Sequence, residues 1–235
     1  MKRIFTLLAI VAFACVGKLS AQNVQLHYDF GGKWYDARKQ LPSLNSTVEG
    51  LSFDRYGQTF YFVDMFYSQD GIDQAYWEIA RDLKFWQAPI ALHLEYNGGV
   101  DPRFRINNAY LAGLSYLWAN NDGSKSFSVY AAYRHDQRKD RPHNMQLTGI
   151  WSYTTWNRVF TFNGFADLYT ASVPNAKSNV IFMTEPQFWI NCNQFVGIPD
   201  ALNMSIGTEV RMHYNFMAND KFMIMPTLAV KWNFR

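Results

Sequence analysis

This chain of 235 residues has few cysteines, a small net charge and few long apolar runs. Of its two cysteines, Cys15 lies in an N-terminal apolar segment, so Cys192 alone remains beyond it and an intramolecular disulfide there is excluded. No apolar run after residue 21 is long enough to span a bilayer as a helix. A chain without such helices crosses a membrane only as a closed β-barrel, because lipid cannot satisfy backbone polar groups.

The first 21 residues have the pattern of a secretory signal peptide. Lys2 and Arg3 precede an apolar run, residues 4–16, that is shorter than a transmembrane helix. We predict cleavage after Ala21, while residues 12–15 are a weaker alternative as a lipoprotein site. The expected organisation is a signal peptide over residues 1–21 and one barrel domain over residues 22–235.

The net charge of the chain belongs to this leader. The chain has 22 lysines and arginines against 19 acidic residues, and Lys2, Arg3 and Lys18 lie in the leader without an acidic residue. The remaining chain is neutral, which gives no indication of a nucleic-acid partner. Neutrality also predicts weak selection among ions.

The chain is rich in aromatic residues and in segments where apolar residues alternate with residues of mixed character. Aromatics make up 17% of the chain and are spread along its length. From Phe222 to Phe234 every second residue is apolar, and the residues between them are of mixed character. Strands of about 9–11 residues with an apolar outer face and aromatics near their ends are typical of transmembrane β-barrels.

The same alternation recurs in segments separated by turn signals such as Asn120 to Gly123. Segment 75–86 is ambiguous: a helix would carry an apolar stripe, whereas a strand places Arg81 on the outer face. Pro186 removes a ladder hydrogen bond from its strand, so we expect a bulge there. We predict an all-β, antiparallel transmembrane barrel of about twelve strands. The predicted strands are Val24–Phe30, Leu44–Glu49, Gln58–Tyr67, Ala75–Trp86, Ile90–Tyr96, Tyr110–Trp118, Phe127–Arg134, Met145–Trp151, Phe160–Leu168, Val180–Ile190, Met204–Tyr214 and Phe222–Phe234.

Several segments resemble the nucleoside-specific outer-membrane channel (Tsx) family, in particular a Tsx-like branch. The segments that carry this resemblance are residues 26–31 (LHYDFG), 61–64 (YFVD), 77–81 (WEIAR), 95–99 (EYNGG), 185–189 (EPQFW) and 230–234 (VKWNF). The resemblance implies a twelve-stranded barrel in the outer membrane of a Gram-negative bacterium. It also implies a strand at 75–86 and a solute that is a nucleoside.

The inward faces of the predicted strands carry charged and aromatic residues. We expect Phe60, Phe62, Tyr130 and Phe165 to be stacking surfaces for a ring-shaped solute, since base–aromatic stacking is worth about 1–3 kcal/mol. The alternative interpretation is a structural network of paired charges inside a narrow barrel. The residues predicted to line the lumen and bind solute are Phe60, Phe62, Asp64, Glu78, His93, Glu95, Arg134, Glu185, Glu209 and Arg211.

We predict a monomeric outer-membrane channel, a porin, that contacts lipid and passes or binds small solutes without a cofactor. Two alternatives remain: a barrel-type envelope enzyme acting on lipid or sugar, and a soluble periplasmic barrel with its apolar faces inward. The chain has no Gly-x-Ser-x-Gly motif and no histidine with a serine within two positions, so we expect no enzyme activity. Lone histidines beside carboxylates are typical of hydrogen bonding, so we expect no metal.

Overall fold

The computed structural model describes residues 19–172, 178–216 and 221–234. These residues are almost entirely β-strand, with one short helix, α1 (Gly31–Trp34), and three 3-10 turns. The strands are β1 (Leu19–Asp29), β2 (Leu44–Asp54), β3 (Gly57–Ser68), β4 (Gly71–Leu83), β5 (Ile90–Val100), β6 (Ala109–Ala119), β7 (Lys125–Asp136), β8 (His143–Thr154), β9 (Phe160–Thr170), β10 (Val180–Thr184), β11 (Gln187–Asn191), β12 (Met204–Tyr214) and β13 (Phe222–Phe234).

The strands form one antiparallel sheet that closes on itself, because β13 pairs with both β12 and β1. β10 and β11 follow one another in a single position between β9 and β12. The barrel therefore has twelve strand positions, which confirms the predicted fold. Segment 75–86 lies mostly in β4 and is not a helix. An even number of positions brings residues 19 and 234 to one end of the barrel, the termini end; the opposite end is the loop end.

Pro186 interrupts the ladder without inserting a residue. Thr184 and Gln187, on either side of it, lie opposite Ala166 and Asn163 of β9, so the strands advance in step. The expected bulge at Pro186 is therefore wrong. The fixed φ of proline is compatible with an extended strand, and the Pro186 carbonyl still accepts a backbone hydrogen bond from β12 at 2.9 Å.

Side chains alternate between a polar interior and an apolar outer wall. In β13, Phe222 and Leu228 are exposed at 52% and 58%, whereas Met225, Thr227 and Ala229 are buried. Directly opposite residues of paired strands lie on the same face of the sheet. The pairing register therefore shows, strand by strand, which residues face inward and which face outward. Among the described residues, buried polar side chains outnumber buried apolar ones, the reverse of a soluble protein. The predicted phase of the last strand is confirmed.

The strand pairing aligns side chains of the outer wall into rows that differ in chemistry. There is a row of aromatics near the termini end, an aliphatic row that crosses five strands obliquely between the two ends, and a tyrosine pair near the loop end. These rows are Trp118, Phe127 and Trp151; Leu92, Leu114, Ala131, Leu147 and Leu168; and Tyr96 with Tyr110. Aromatic girdles on both sides of an aliphatic band are typical of barrels that span a membrane.

The connection between β1 and β2 folds back over the loop end. It contains α1 and a 3-10 turn at Asp36–Arg38. Arg38 Nη2 donates to Asp29 Oδ2 at 3.1 Å, and the Gly31 backbone N donates to Asp29 Oδ1 at 2.5 Å. A Cβ on Gly31 would lie 2.8–3.0 Å from the side chains of Asp29, Arg38 and Met225, so this close approach favours glycine.

Several strand ends differ from the prediction. Lys84, expected on the inward face, is exposed beyond the end of β4. β7 extends two residues further than predicted and adds Asp136 to the interior. The expected leader lies outside the described residues apart from residues 19–21, which begin β1. Among the described residues, no helix is both long and apolar enough to cross a membrane.

Candidate functional site in the barrel interior

The polar side chains of the interior form networks that strand register brings together. We call the group Glu78, Asp82, His93, Glu95 and Asp167, on β4, β5 and β9, the acidic network. We call Asp64, Glu185, Glu209 and Arg211, on β3, β12 and the β10–β11 junction, the arginine network. All of these residues lie on the inward phase of their strands.

His93 is the centre of the acidic network. Asp82 lies directly opposite it in the β4–β5 pairing, and its Oδ1 is 2.9 Å from His93 Nδ1. The other ring nitrogen, Nε2, is 3.2 Å from Glu95 Oε2, two residues along β5. The ring stacks on Tyr130 of β7 with centroids 3.9 Å apart, and the Tyr130 hydroxyl donates to Glu95 Oε2 at 3.0 Å. The imidazole is thus fixed on both edges and on one face.

Two more carboxylates extend this network across the interior. The Tyr76 hydroxyl donates to Glu78 Oε1 at 2.6 Å, and the Thr148 hydroxyl donates to Asp167 Oδ1 at 2.6 Å. Glu78 and Asp167 both lie within electrostatic range of Glu95. Three carboxylates therefore approach one another; each accepts from a hydroxyl donor, and Glu95 also contacts His93.

The arginine network joins opposite walls. Arg211 Nε donates to Glu185, and Gln187 Nε2 donates to Glu209 Oε2 at 2.8 Å. Asp64, on β3, accepts from the Thr47 hydroxyl at 2.5 Å and interacts electrostatically with Arg211. Because β13, β1 and β2 separate β12 from β3 in the sheet, this interaction crosses the lumen.

Asp64 lies in the lumen, as its strand phase predicts, and Arg211 is the basic group that interacts with it. Two other arginines of the strands, Arg81 and Arg134, have different partners. Arg81 lies on the outer wall and pairs with Asp54. Arg134 donates from Nε to Asp136 Oδ1 at 2.9 Å and from Nη1 to Gln146 Oε1 at 2.7 Å.

A third part of the interior, beside β1 and β13, is densely packed. His27 Nδ1 is 3.1 Å from Thr227 Oγ1, and its Nε2 is 3.1 Å from Gln25 Oε1. Trp189 is fully buried, and Lys231 Nζ lies over its ring, 4.1 Å from the centroid. Such a cation–π contact stabilises a buried ammonium group. Side chains fill this part of the barrel, so the acidic and arginine networks border the rest of the interior.

All ten residues predicted to line the lumen lie on the inward phase of the barrel. Phe60 and Phe62 form a small aromatic cluster with Tyr76; the centroids of successive rings are 6.2 and 6.0 Å apart. Phe165 is on the inward phase of β9, but among the described residues no ring contact joins it to this cluster. Whether these residues bind solute stays a prediction.

Some interior residues escaped the sequence prediction. Tyr76 was not predicted to line the lumen, although the strand phase that places Glu78 inward also places Tyr76 there. Trp189 was not predicted to lie inside the barrel, because most aromatic side chains of this chain face outward. Arg38 approaches from a loop, and no periodicity reports where a loop side chain lies.

A separate cleft of about 590 Å³ lies at the loop end, against the connection between β5 and β6. Arg103 Nη2 is 2.8 Å from Asp101 Oδ2 and 3.4 Å from Asp73 Oδ2. Burial alone would raise the pKa of Asp101, but the hydrogen bonds from Arg103 outweigh it and hold that pKa below its usual value. Arg105 and Arg138 also line the cleft, so its rim is basic.

Among the described residues, no three histidine, cysteine, aspartate or glutamate side chains are grouped to hold a metal ion. The chemistry that the interior offers is hydrogen bonding, stacking and charge.

Solved structures share this architecture. The NanC porin matches with a TM-score of 0.56 and 10% identity, over 90% of this chain and 99% of that one. The KdgM porin matches with a TM-score of 0.51 and 12% identity, over 92% and 99%. The KdgM porin in complex with disordered oligogalacturonate matches with a TM-score of 0.50 and 12% identity, over 92% and 99%. The likeness shows the fold: a closed antiparallel twelve-stranded β-barrel of the kind found in porins.

The chain belongs to the family described as "Domain of unknown function (DUF5020)", whose match covers residues 21–234. No match to a curated protein sequence was found. The porin-like architecture agrees with the barrel implied by the resemblance to the Tsx family. The names of these structures mention no nucleoside, so the nucleoside assignment gains no support from them.

Proposed function

We propose that this protein is an outer-membrane channel that binds small solutes and lets them pass without an energy source. The observation that carries the proposal is the inverted polarity of the barrel. Large apolar residues such as Leu114, Leu228 and Trp232 are exposed on the outer wall, whereas Gln25, His27 and His93 are buried inside. This arrangement is stable where lipid replaces water outside the barrel.

The membrane location follows from the same wall. Exposed aromatics near both ends of the barrel match the two interfaces of a bilayer, and exposed aliphatic side chains at mid-strand, such as Leu114 and Leu228, match its hydrocarbon core. We further propose that residues 1–21 direct the chain across the inner membrane and are then removed. Cell fractionation, with N-terminal sequencing of the purified barrel, tests both points: recovery of the protein in the soluble periplasmic fraction would contradict the proposal.

The fold of porins supports a channel over a purely structural barrel. KdgM is named as a porin and has been solved in complex with disordered oligogalacturonate, so a barrel of this architecture admits a polar solute. The polar interior does not fit the soluble alternative, whose apolar faces would turn inward. The structural network remains the rival for individual residues, since one side chain can both pair with a neighbour and line a passage.

A nucleoside is the finer candidate for the solute. Phe60 and Phe62, with Tyr76, offer a stacking surface, and Asp64 and Glu209 present carboxylates that accept hydrogen bonds from ribose hydroxyls. Stacking of a base on an aromatic ring is worth about 1–3 kcal/mol. A transport site must bind solute weakly enough to release it.

Flux through the reconstituted barrel tests the proposal. Liposome swelling would be compared for nucleosides and for sugars of matched size, with wild type, Phe62→Ala and Glu209→Gln. We expect wild type to pass nucleosides faster and both variants to lose that advantage. An outward substitution, Ile79→Ala, is the matched control because Ile79 is 47% exposed on the outer wall.

Two negative results have different meanings. Equal rates for nucleosides and sugars in wild type and variants would leave a channel but remove nucleosides as its preferred solute. No swelling with any solute of this size, from correctly folded barrel, would remove the channel itself.

A further inference from the structure

Charge is unevenly distributed between the inside and the outside of the barrel. Ten carboxylates project inward from the described strands: Asp29, Glu49, Asp64, Glu78, Asp82, Glu95, Asp136, Asp167, Glu185 and Glu209. The strands and the connection folded over them supply four lysine and arginine side chains to the same space: Arg38, Arg134, Arg211 and Lys231. The segment after the leader is neutral as a whole, so its surplus of basic groups lies elsewhere, largely in turns and connections.

Each interior base already has a partner. Arg38 binds Asp29, Arg134 binds Asp136 and Arg211 binds Glu185, while Lys231 lies over the ring of Trp189. A base that is committed to one carboxylate contributes less to neutralising the others. Apart from the longer-range attraction of Arg134, the carboxylates of the acidic network therefore have as partners His93, hydroxyl donors and the amide of Gln58, which donates to Asp82 Oδ2 at 2.8 Å.

Glu95 can accept a further hydrogen bond within the acidic network. Its side chain is only 3% exposed, and Oε2 receives the Tyr130 hydroxyl and faces His93. The other oxygen, Oε1, is buried and has no hydrogen-bond partner among the described residues. A buried carboxylate oxygen without a partner is costly, and here it lies within electrostatic range of Glu78 and Asp167. A positively charged group placed there would satisfy it and relieve the repulsion between the three carboxylates.

We propose that the channel selects for cations, and that the acidic network, with Glu95 at its centre, binds the amine group of small cationic solutes. This inference rests on the proposed channel function and specifies its solute class. Rings of Asp and Glu side chains give cation selectivity in other channels, and walls of one charge sign concentrate counter-ions within a cleft. The ammonium group, with three donors, suits carboxylates that approach from β4, β5 and β9.

The arrangement also revises an expectation from the sequence. Neutrality of the chain predicted weak selection among ions, but that argument assumed that charge is evenly distributed. The fold separates the signs: carboxylates are enriched inside, and basic residues such as Arg105 and Arg138 line the cleft at the loop end. Selection depends on the field along the passage and not on the net charge.

Zero-current potentials across a planar bilayer with a KCl gradient test the inference. We expect the wild-type barrel to prefer K⁺ over Cl⁻. The double variant Glu78→Gln with Glu95→Gln should reduce that preference about fivefold for each charge removed, the effect of one unit charge at roughly 4 Å in water. Asp122→Asn is the matched control, because Asp122 is an exposed carboxylate in the turn between β6 and β7, and it should leave the potential unchanged.

The amine site has its own test, liposome swelling with glucosamine, glucose and glucuronate. These sugars are close in size but are positive, neutral and negative at neutral pH. We expect glucosamine to enter fastest and glucuronate slowest, with the order flattened in the double variant.

The outcomes separate the two claims. Conductance without preference for K⁺, or a double variant that behaves like Asp122→Asn, would overturn cation selection and leave the proposed channel standing. Absence of conductance from a barrel that migrates as folded protein would overturn the channel and, with it, this inference.

Discussion

Arg81 and Asp54 form a salt bridge on the outer wall of the barrel, with Arg81 Nη2 2.8 and 2.9 Å from the two carboxylate oxygens. Arg81 Nη1 also donates to the Thr59 hydroxyl at 3.0 Å. Asp54 ends β2 beside the short turn into β3, so the pair lies at the termini end. An arginine on this wall is tolerated because it is near an interface and has a partner.

The first prediction concerns this pair. Asp54→Asn leaves the Arg81 charge on the outer wall without its partner, so we expect it to lower stability in lipid more than Arg81→Gln does. The double variant should recover most of the loss. Urea unfolding of the folded barrel in lipid vesicles measures this, and additive losses in the double variant would show that the two side chains are not coupled.

The second prediction concerns the lipid-facing phase of β13. Leu228 is exposed at the middle of the strand, so Leu228→Arg should cost about 2–4 kcal/mol of barrel stability and reduce membrane assembly. Leu228→Met, which keeps an apolar side chain of similar size, is the control and should assemble normally. Normal assembly of the arginine variant would mean that this face does not contact the hydrocarbon core.

The third prediction concerns the base of the arginine network. Arg211→Met leaves Glu185, Glu209 and Asp64 without their shared base, and breaking a buried pair in this way typically costs about 3–5 kcal/mol. Adding Glu185→Gln should restore part of the stability, because it removes one of the unpaired charges. Urea unfolding gives the comparison, and a single variant as stable as wild type would contradict the network.

The fourth prediction compares two glycines. A Cβ on Gly207 would lie 2.1 Å from the Phe188 carbonyl oxygen and 2.7 Å from the Trp189 ring, whereas a Cβ on Gly149 meets nothing within 4 Å. Gly207→Ala should therefore destabilise the barrel by about 1–3 kcal/mol, as overpacking does. Gly149→Ala should be neutral or stabilising by up to about 1 kcal/mol. Thermal unfolding, followed by the shift of the barrel band in unheated gels, ranks them.

The sequence predicts the barrel well because both faces of each strand carry a signal. Lipid outside and polar contacts inside impose a period of two on almost every segment, so twelve strands and the inward phase of residues such as Asp64 and Glu95 are readable in advance. Even the ambiguous segment 75–86 is settled by that period, once Arg81 is accepted on the outer wall.

The sequence does not predict which side chains meet across the interior of the barrel. The approach of Asp64 to Arg211 depends on the curvature of the whole sheet, because four strand pairings connect β3 to β12 around one side of the barrel and eight around the other. Whether a charged residue lies inside the barrel or in a loop depends on where its strand ends. Asp136 was predicted to lie beyond β7 but is its last residue, whereas Lys84 was predicted to lie within β4 but follows its end. Local pattern carries no information on either point.

Pairing of β1 with β13 gives assembly a definite order. Residues such as His27 and Thr227, which touch across this seam, are 200 positions apart, so the last strand must be synthesised before the ring can shut. Until then the free borders of β1 and β12 expose unpaired N–H and C=O groups, which are templates for aggregation. We therefore expect a nascent chain of this protein to depend on a chaperone or on the insertion machinery to keep it unfolded until β13 is available.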